Sequence, residues 1–235
     1  MAETLELELA GEPVCLLADR ALYWPARRRL LIADLHLGKG DTFRAAGIAV
    51  PTGGTAHDLA RLAALLAQTG ARSLWILGDF LHARRNAAVD AAWRDFREAH
   101  GRVDVAVIPG NHDRAFDAPA AGVERLPEGV VEGPFEFRHA PPPSGSDLGR
   151  ERFRAQARSH SGAFPGQAGE GHVLCGHLHP VLRLPGALGR HPLFWLRPAC
   201  TVLPAFSAFT GGHPIPRGDS HGSVLCDGRQ LLRLP

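Results

Sequence analysis

The chain has 235 residues, 45% of them hydrophobic, and a formal net charge of +2, which fits one large α/β domain able to bury a substantial core. So slight a basic excess lacks the concentrated face of a nucleic-acid binder, and charge alone does not decide the substrate. No apolar run approaches the ~20 residues that span a bilayer, and the acidic start (Glu3, Glu6, Glu8) lacks the basic region of a signal peptide, so the expectation is a cytoplasmic protein with no membrane association.

The four cysteines (Cys15, Cys175, Cys200, Cys226) are far apart, with no C-x-x-C pair. Neither a zinc ribbon nor a disulfide framework is indicated, and they read as small core hydrophobes. Of the 26 basic residues only Lys39 is a lysine. With abundant Ala, Gly and Pro, this arginine excess reads as a coding bias rather than as guanidinium chemistry.

In chain order, the first clear element is Leu30-Leu31-Ile32-Ala33, a short apolar run that stops at Asp34 and reads as a buried strand delivering that carboxylate to a sheet edge. From Thr55 to Gln68, leucines 59, 62, 65 and 66 follow helical spacing, with Thr55 as the N-cap and Gly70 as the stop. Leu74 to Leu77 is a second strand, ending at Gly78-Asp79. A helical stretch follows with Val89, Trp93 and Phe96 on one face. Val103 to Ile108 is a third strand, stopped by Pro109-Gly110. The second half is richer in short β runs: Pro134 to Arg138, His172 to Cys175, Val181 to Leu184, Leu193 to Leu196, Ser223 to Cys226 and Leu231 to Arg233. Alternation early and strands late predict an α/β sandwich of two β-sheets flanked by helices, in a single domain over 1–235. The stretch from Pro141 to Gly171, with Arg150, Arg152, Arg154 and Arg158 in its middle, reads as a long mobile insertion.

Five short motifs follow one another, most of them just after a predicted strand: Asp34-Leu35-His36, Gly78-Asp79-Phe80-Leu81-His82, Gly110-Asn111-His112-Asp113, His139, and Gly176-His177-Leu178-His179. A D-x-H pair at a strand end can aim both side chains at one ion, because the chain is leaving its pleat there. The glycines before Asp79, Asn111 and His177 permit tight turns and close approach of the backbone. A mixture of His, Asp and one Asn favours manganese, iron or zinc over magnesium or calcium. Asp34, His36, Asp79, Asn111, His139, His177 and His179 are too many for one tetrahedral ion and suit two ions bridged by one carboxylate. Two divalent ions ~3.5–4 Å apart can hold an attacking hydroxide and the phosphoryl oxygens together.

In this order the motifs resemble the calcineurin-like metallophosphoesterase superfamily. The resemblance implies one ion on Asp34, His36, Asp79 and His179 and a second on Asp79, Asn111, His139 and His177, with Asp79 bridging. It also implies His112 as the catalytic histidine acting on the scissile phosphate or leaving group, Asp113 orienting it, and His82 as a further active-site histidine of the nuclease branch. Asp34-Leu-His-Leu-Gly-Lys39, Thr42-Phe-Arg-Ala-Ala-Gly47, Gly78-Asp-Phe-Leu-His82, Gly176-His-Leu-His-Pro180 and Leu203-Pro-Ala-Phe-Ser-Ala-Phe-Thr-Gly-Gly212 narrow it. These are similar to the ligase-associated DNA damage response endonucleases (PdeM type), a likeness running from Leu30 to Gly212. It implies a manganese-dependent phosphodiesterase and DNA endonuclease of DNA repair, associated with a DNA ligase, an exonuclease and a helicase. The segment between His139 and His177 is longer than this family leads one to expect, which leaves His160 and His172 as substitutes for His139.

A bland reading stands beside each functional one. Lys39, Arg44, Arg84, Arg85 and Arg114 lie near the motif loops, where arginine suits bidentate phosphate contacts. Lys39, Arg44 and Arg114 are the substrate-binding candidates, although each taken singly is an ordinary solvated or structural charge. The arginine-rich middle of the insertion is either a DNA track or a solvated face. His57, His100, His191, His213 and His221 carry no assignment. The expected chemistry is attack of a metal-bridging hydroxide on phosphorus, with His112 as proton donor to the leaving oxygen. The alternatives are a phosphatase or cyclic-nucleotide phosphodiesterase acting on small molecules, and a non-catalytic scaffold.

Overall fold

Leu5, Leu7 and Leu9 alternate with polar residues, the period-2 pattern of a half-buried strand, and they lie on β1 (Thr4–Leu9) of the computed structural model. The structure describes residues 1–50, 52–82, 86–142, 171–184, 189–216 and 222–235. β1 pairs antiparallel with β2 (Glu12–Leu17), and the meander runs through β3 (Ala21–Trp24) into β4 (Arg29–Ala33). From β4 onward the ladder is parallel: β5 (Ser73–Leu77), β6 (Asp104–Ile108) and β7 (Glu124–Arg125) follow in sheet order. Crossovers of this kind need covering helices, and α1 (Lys39–Ala45), α2 (Gly54–Thr69), α3 (Ala87–Ala99) and α4 (Ala118–Ala121) lie between these strands in the chain.

Among the described residues the second sheet has nine strands: β8 (Val130–Glu132), β9 (Phe135–Phe137), β10 (His172–Cys175), β11 (Pro180–Arg183), β12 (Arg190–Arg197), β13 (Cys200–Val202), β14 (His213–Pro214), β15 (Val224–Cys226) and β16 (Leu231–Arg233). Its central path is β14-β11-β12-β13-β10-β9-β8, with β15 and β16 off β12.

The continuous apolar runs of β4 and β5 are explained by burial on both faces. Leu30, Ile32, Leu74 and Ile76 face a core shared with Leu59, Leu62, Leu65 and Leu66 of α2 and Val89, Trp93 and Phe96 of α3. Leu31, Ala33 and Leu77 face the other sheet, packing with Phe135, Phe137, Leu174 and Leu203. Trp24 sits between the sheets with its ring edge-on to Phe135 at 4.9 Å and its indole Nε1 donating to Glu12 at 2.9 Å. The expected sandwich of two sheets flanked by helices is thus the observed one.

Most of the expected elements lie within a residue or two of their bounds, while β1, β2, β3, α1, α4, β7, β8, β13 and β14 were not expected. One local expectation is corrected. α2 starts at Gly54 with Gly53 as its cap in a left-handed conformation (φ 82), so Thr55 is not the N-cap. Its hydroxyl instead accepts the Gly38 N–H at 3.2 Å, tying α2 to the turn after His36. Gly70 (φ 60) ends the helix as its position implied. Cys175, Cys200 and Cys226 are buried as small core residues, Cys15 is half-buried, and all four are free thiols. The insertion from 143 to 170, with its four arginines and His160, lies outside the described residues, as do Arg84, Arg85 and His221. Among the described residues no helix is long and apolar enough to cross a membrane.

Candidate metal centre

Strand ends converge at one place because parallel neighbours expose their carboxyl ends on the same sheet edge. β4 hands over to Asp34 and His36, β5 to Asp79 and His82, and β6 to Asn111 and His112. From the second sheet, His139 follows β9, and His177 and His179 follow β10. Backbone bonds lace these exits together: His36 N–H donates to Asp79 O at 2.7 Å, Leu37 N–H to Phe80 O at 2.9 Å, and Gly176 N–H to His139 O at 2.9 Å. The close approach needs glycines. A Cβ on Gly78, which has φ +84, would run into the His139 ring, and one on Gly176 would meet the Asp34 carboxylate and Ala33.

Asp34 (φ 52), His36 (φ 48), Asp79 (φ 40), His177 (φ 71) and His179 (φ 47) all occupy the left-handed region. For a side-chain-bearing residue that conformation costs about 1–3 kcal/mol and persists only where the surroundings impose it. Among the described non-glycine residues only Ala10, Arg20 and Arg28 share it. Strain concentrated on five of seven ligand candidates marks a functional constellation.

Two quartets result. Asp34, His36, Asp79 and His179 each offer an atom within 4.8 Å of the others: His36 Nε2 is 3.4 Å from His179 Nε2 and 3.7 Å from Asp79 Oδ2, and His179 Nε2 is 3.4 Å from Asp34 Oδ2. In the second, His139 Nε2 lies 3.0 Å from Asn111 Oδ1, 2.9 Å from His177 Nδ1 and 3.9 Å from Asp79 Oδ1. Asp79 therefore fronts both groups, one oxygen toward each. A single imidazole nitrogen has at most one proton, so the convergence of two acceptor oxygens and a second ring nitrogen on His139 Nε2 suits a cation rather than a hydrogen-bond network. Among the described residues Asp34 Oδ1 and His139 Nδ1 are buried without hydrogen-bond partners, and they lie 3.7 Å apart. They are placed like the carboxylate and outer nitrogen of a carboxylate–histidine–metal arrangement. Both observations fit two divalent cations.

Burial favours the neutral form that ligation requires at His36 and His177. Burial pushes the His36 pKa well down, reinforced by the Lys39 ammonium and by His179. Burial likewise lowers His177, with His139 adding to it. His82 is held at about 4, by burial first and then by Lys39 and His112. Its Nδ1 lies 3.4 Å from His36 Nδ1, and its ring stacks on His112 at 5.1 Å and 20°. Asp34 is fully buried, whereas Asn111, His112 and His177 are exposed, so the cluster is deep on one side and open on the other. Burial also lowers the pKa of the half-buried Lys39, countered by the charges of Asp34 and Asp79. Arg44 pairs with Asp41 along α1. Arg114 is exposed in the turn right after His112.

Two expectations change. Asp113 was to orient the His112 ring, but its carboxylate accepts backbone N–H groups instead: Phe80 at 3.0 Å, Leu81 at 2.8 Å and Gly110 at 2.8 Å. It clamps the loop after β5 to the loop after β6. His112 is held through its backbone, whose N–H donates to Asp79 Oδ1 at 2.9 Å. His172, a substitute for His139, begins β10 rather than ending it, and its Nε2 lies 2.9 Å from Thr201 Oγ1. A contact that no motif announced is Glu128, which accepts the His139 N–H at 3.1 Å.

His172 has a separate consequence. Burial pushes its pKa from 6.5 down to about 4, against the opposing pull of the Pro198 carbonyl. Between those two values the unfolded chain takes up a proton that the folded one refuses, so this stability is complete above pH 6.5 and is lost as pH falls. In acid unfolding of metal-free protein, His172→Gln is expected to flatten the loss across that window by up to about 3 kcal/mol. An unchanged slope would show that the folded protein accepts the proton at no cost.

A family model described as calcineurin-like phosphoesterase matches residues 27–180. No curated protein matches the sequence. Among solved structures, the Pseudomonas putida nuclease MPE is 37% identical, with a TM-score of 0.77, over 99% of this chain and 100% of its own. YfcE, a phosphoesterase from E. coli, is 19% identical at a TM-score of 0.43, over 85% of this chain and 87% of its own.

Proposed function

From the premise that the chain belongs to the calcineurin-like phosphoesterases, hydrolases of phosphoester bonds, we propose that it is a two-metal phosphodiesterase cutting DNA internally, with manganese as its working ion. The observation that carries the two-metal part is the pair of quartets fronting the two oxygens of Asp79. Support for a nucleic-acid substrate comes from the end-to-end likeness to a nuclease. The DNA repair role, and association with a ligase, an exonuclease and a helicase, rest on the motif resemblance.

On this reading Asp34, His36, Asp79 and His179 hold one ion, and Asp79, Asn111, His139 and His177 the other. When bound, such ions supply Lewis acidity and an activated water. The chain's own part is positioning. Asp79, with an oxygen toward each quartet, sets their spacing, and its bond to the His112 N–H places that imidazole at the open mouth. From there His112 gives a proton to the leaving oxygen. His82, stacked against it, restricts the ring's rotation. Lys39, half-buried at the start of α1, and Arg114, exposed just after His112, meet the non-bridging phosphate oxygens as cations.

The test compares manganese-dependent cleavage of supercoiled and single-stranded DNA with hydrolysis of an aryl phosphodiester and a panel of monoesters. Nicking of DNA is expected. Turnover confined to monoesters or small diesters would make the enzyme a small-molecule phosphatase or phosphodiesterase, and no turnover at all would leave a scaffold. His112→Ala is expected to retain both ions and to lose about 10²–10⁴-fold on DNA, whose leaving group needs a proton, with a smaller loss on an aryl diester. Loss of metal from that variant would make His112 a ligand instead.

A further inference from the structure

The groups that hold Asp34 in place lie outside the ligand set. Asp34 keeps its left-handed backbone (φ 52) only if its neighbours over-determine it. One loop does so: Phe206 N–H donates to Ala33 O at 2.8 Å, Ser207 N–H donates to Asp34 O at 3.3 Å, and Ala205 bridges Ala33 in parallel register. The loop has little regular structure of its own, so its buried carbonyls must find donors elsewhere. Two guanidinium groups supply them. Arg61 on α2 donates from Nη1 to Phe206 O at 2.8 Å. Arg20, in the turn before β3, donates to Ser207 O at 3.1 Å and Ala205 O at 3.4 Å.

Arg61 is itself clamped. Its Nε and Nη2 donate to Asp19 Oδ1 at 2.8 and 2.5 Å, and its Nη1 donates to Asp58 Oδ1 at 2.9 Å. Its guanidinium lies 4.3 Å from the Phe206 ring centroid. Asp58 also accepts the Ala208 N–H at 3.4 Å.

We propose that Arg61, gripped by Asp19 and Asp58, is a positioning residue for one half of the metal centre: by fixing the 205–208 loop it holds Asp34 in the geometry its quartet needs. The second quartet takes Asn111, His139 and His177 from other strand ends and meets Asp34 only indirectly, through the outer nitrogen of His139 and the His177 N–H, so the larger effect falls on the site built on Asp34, His36 and His179. This inference rests on the two-metal reading.

The test is calorimetric titration of the full-length, metal-free chain with Mn²⁺, beside circular dichroism to confirm folding. Wild type is expected to bind two ions. Arg61→Met is expected to weaken one site by about 10–100-fold, the usual effect of losing an outer-shell partner, and to weaken the other, which Asp34 touches only indirectly, distinctly less. Arg61→Lys should fall between, since an ammonium cannot satisfy both carboxylates and the Phe206 carbonyl as a planar fork does. Should Arg61→Met fail to fold, Arg61→Lys and Asp58→Asn carry the same expected split. Equal weakening of both sites, or none in a folded variant, overturns the positioning role alone. Wild-type protein that binds fewer than two ions overturns the two-metal reading and this inference with it.

Discussion

Asp79→Ala is expected to leave neither ion site intact and to lower turnover by about 10³-fold or more. The carboxylate is almost fully buried, 2% exposed, with Oδ2 3.7 Å from His36 Nε2 and Oδ1 3.9 Å from His139 Nε2. Its loss strips a ligand from both quartets and removes the acceptor that holds the His112 N–H. Metal-borne charge stabilisation is worth several kcal/mol of the barrier, and each 1.4 kcal/mol or so is about tenfold in rate. His36→Ala is a useful contrast: it touches one quartet, and water or excess metal replaces part of what is lost. The measurement is metal stoichiometry by elemental analysis together with turnover on an aryl phosphodiester. An Asp79 variant that holds two ions and turns over like wild type would sink the binuclear reading.

Asp113→Ala is expected to cost stability before it costs chemistry. The side chain is 4% exposed and its two oxygens take the N–H groups of Phe80, Leu81 and Gly110. Removing the carboxylate leaves three backbone donors without an acceptor, at about 1–3 kcal/mol each before relaxation and water entry. A net loss of about 3–5 kcal/mol in a domain of this size lowers the melting temperature by about 10 °C. Scanning calorimetry on metal-free protein reads this directly, and a shift within about 2 °C, less than 1 kcal/mol, would show that the clamp contributes little. Asp113→Asn keeps one accepting oxygen but turns an NH₂ toward a donor, so it should recover only part of the loss.

What the sequence determined by itself was local. Ligand types, their order and their place at strand ends were legible because an apolar run such as Leu30 to Ala33, cut off by Asp34, reports its own burial and its own end. The leucine spacing of α2 and the strand-ending motifs were legible for the same reason. α1 and α4 were missed because seven and four residues are too short to establish a period, and β7, β8, β13 and β14 are two- or three-residue ladders with no pattern at all; β1, β2 and β3 were missed as well, although Leu5, Leu7 and Leu9 of β1 alternate with polar residues. Thr55 looked like a cap because its residue type favours one, yet a neighbouring loop took its hydroxyl.

What only the tertiary structure decided was who meets whom. That His139 reaches Asn111 across the two sheets, that Asp113 serves backbone amides rather than its neighbour His112, and that Arg20 and Arg61 brace a loop nearly 150 residues or more away in the chain all depend on contacts of long sequence separation. No periodicity encodes them. A side chain's role is set by the unpaired donors and acceptors that packing brings within about 3 Å of it, and those belong to whichever strand end the topology places there.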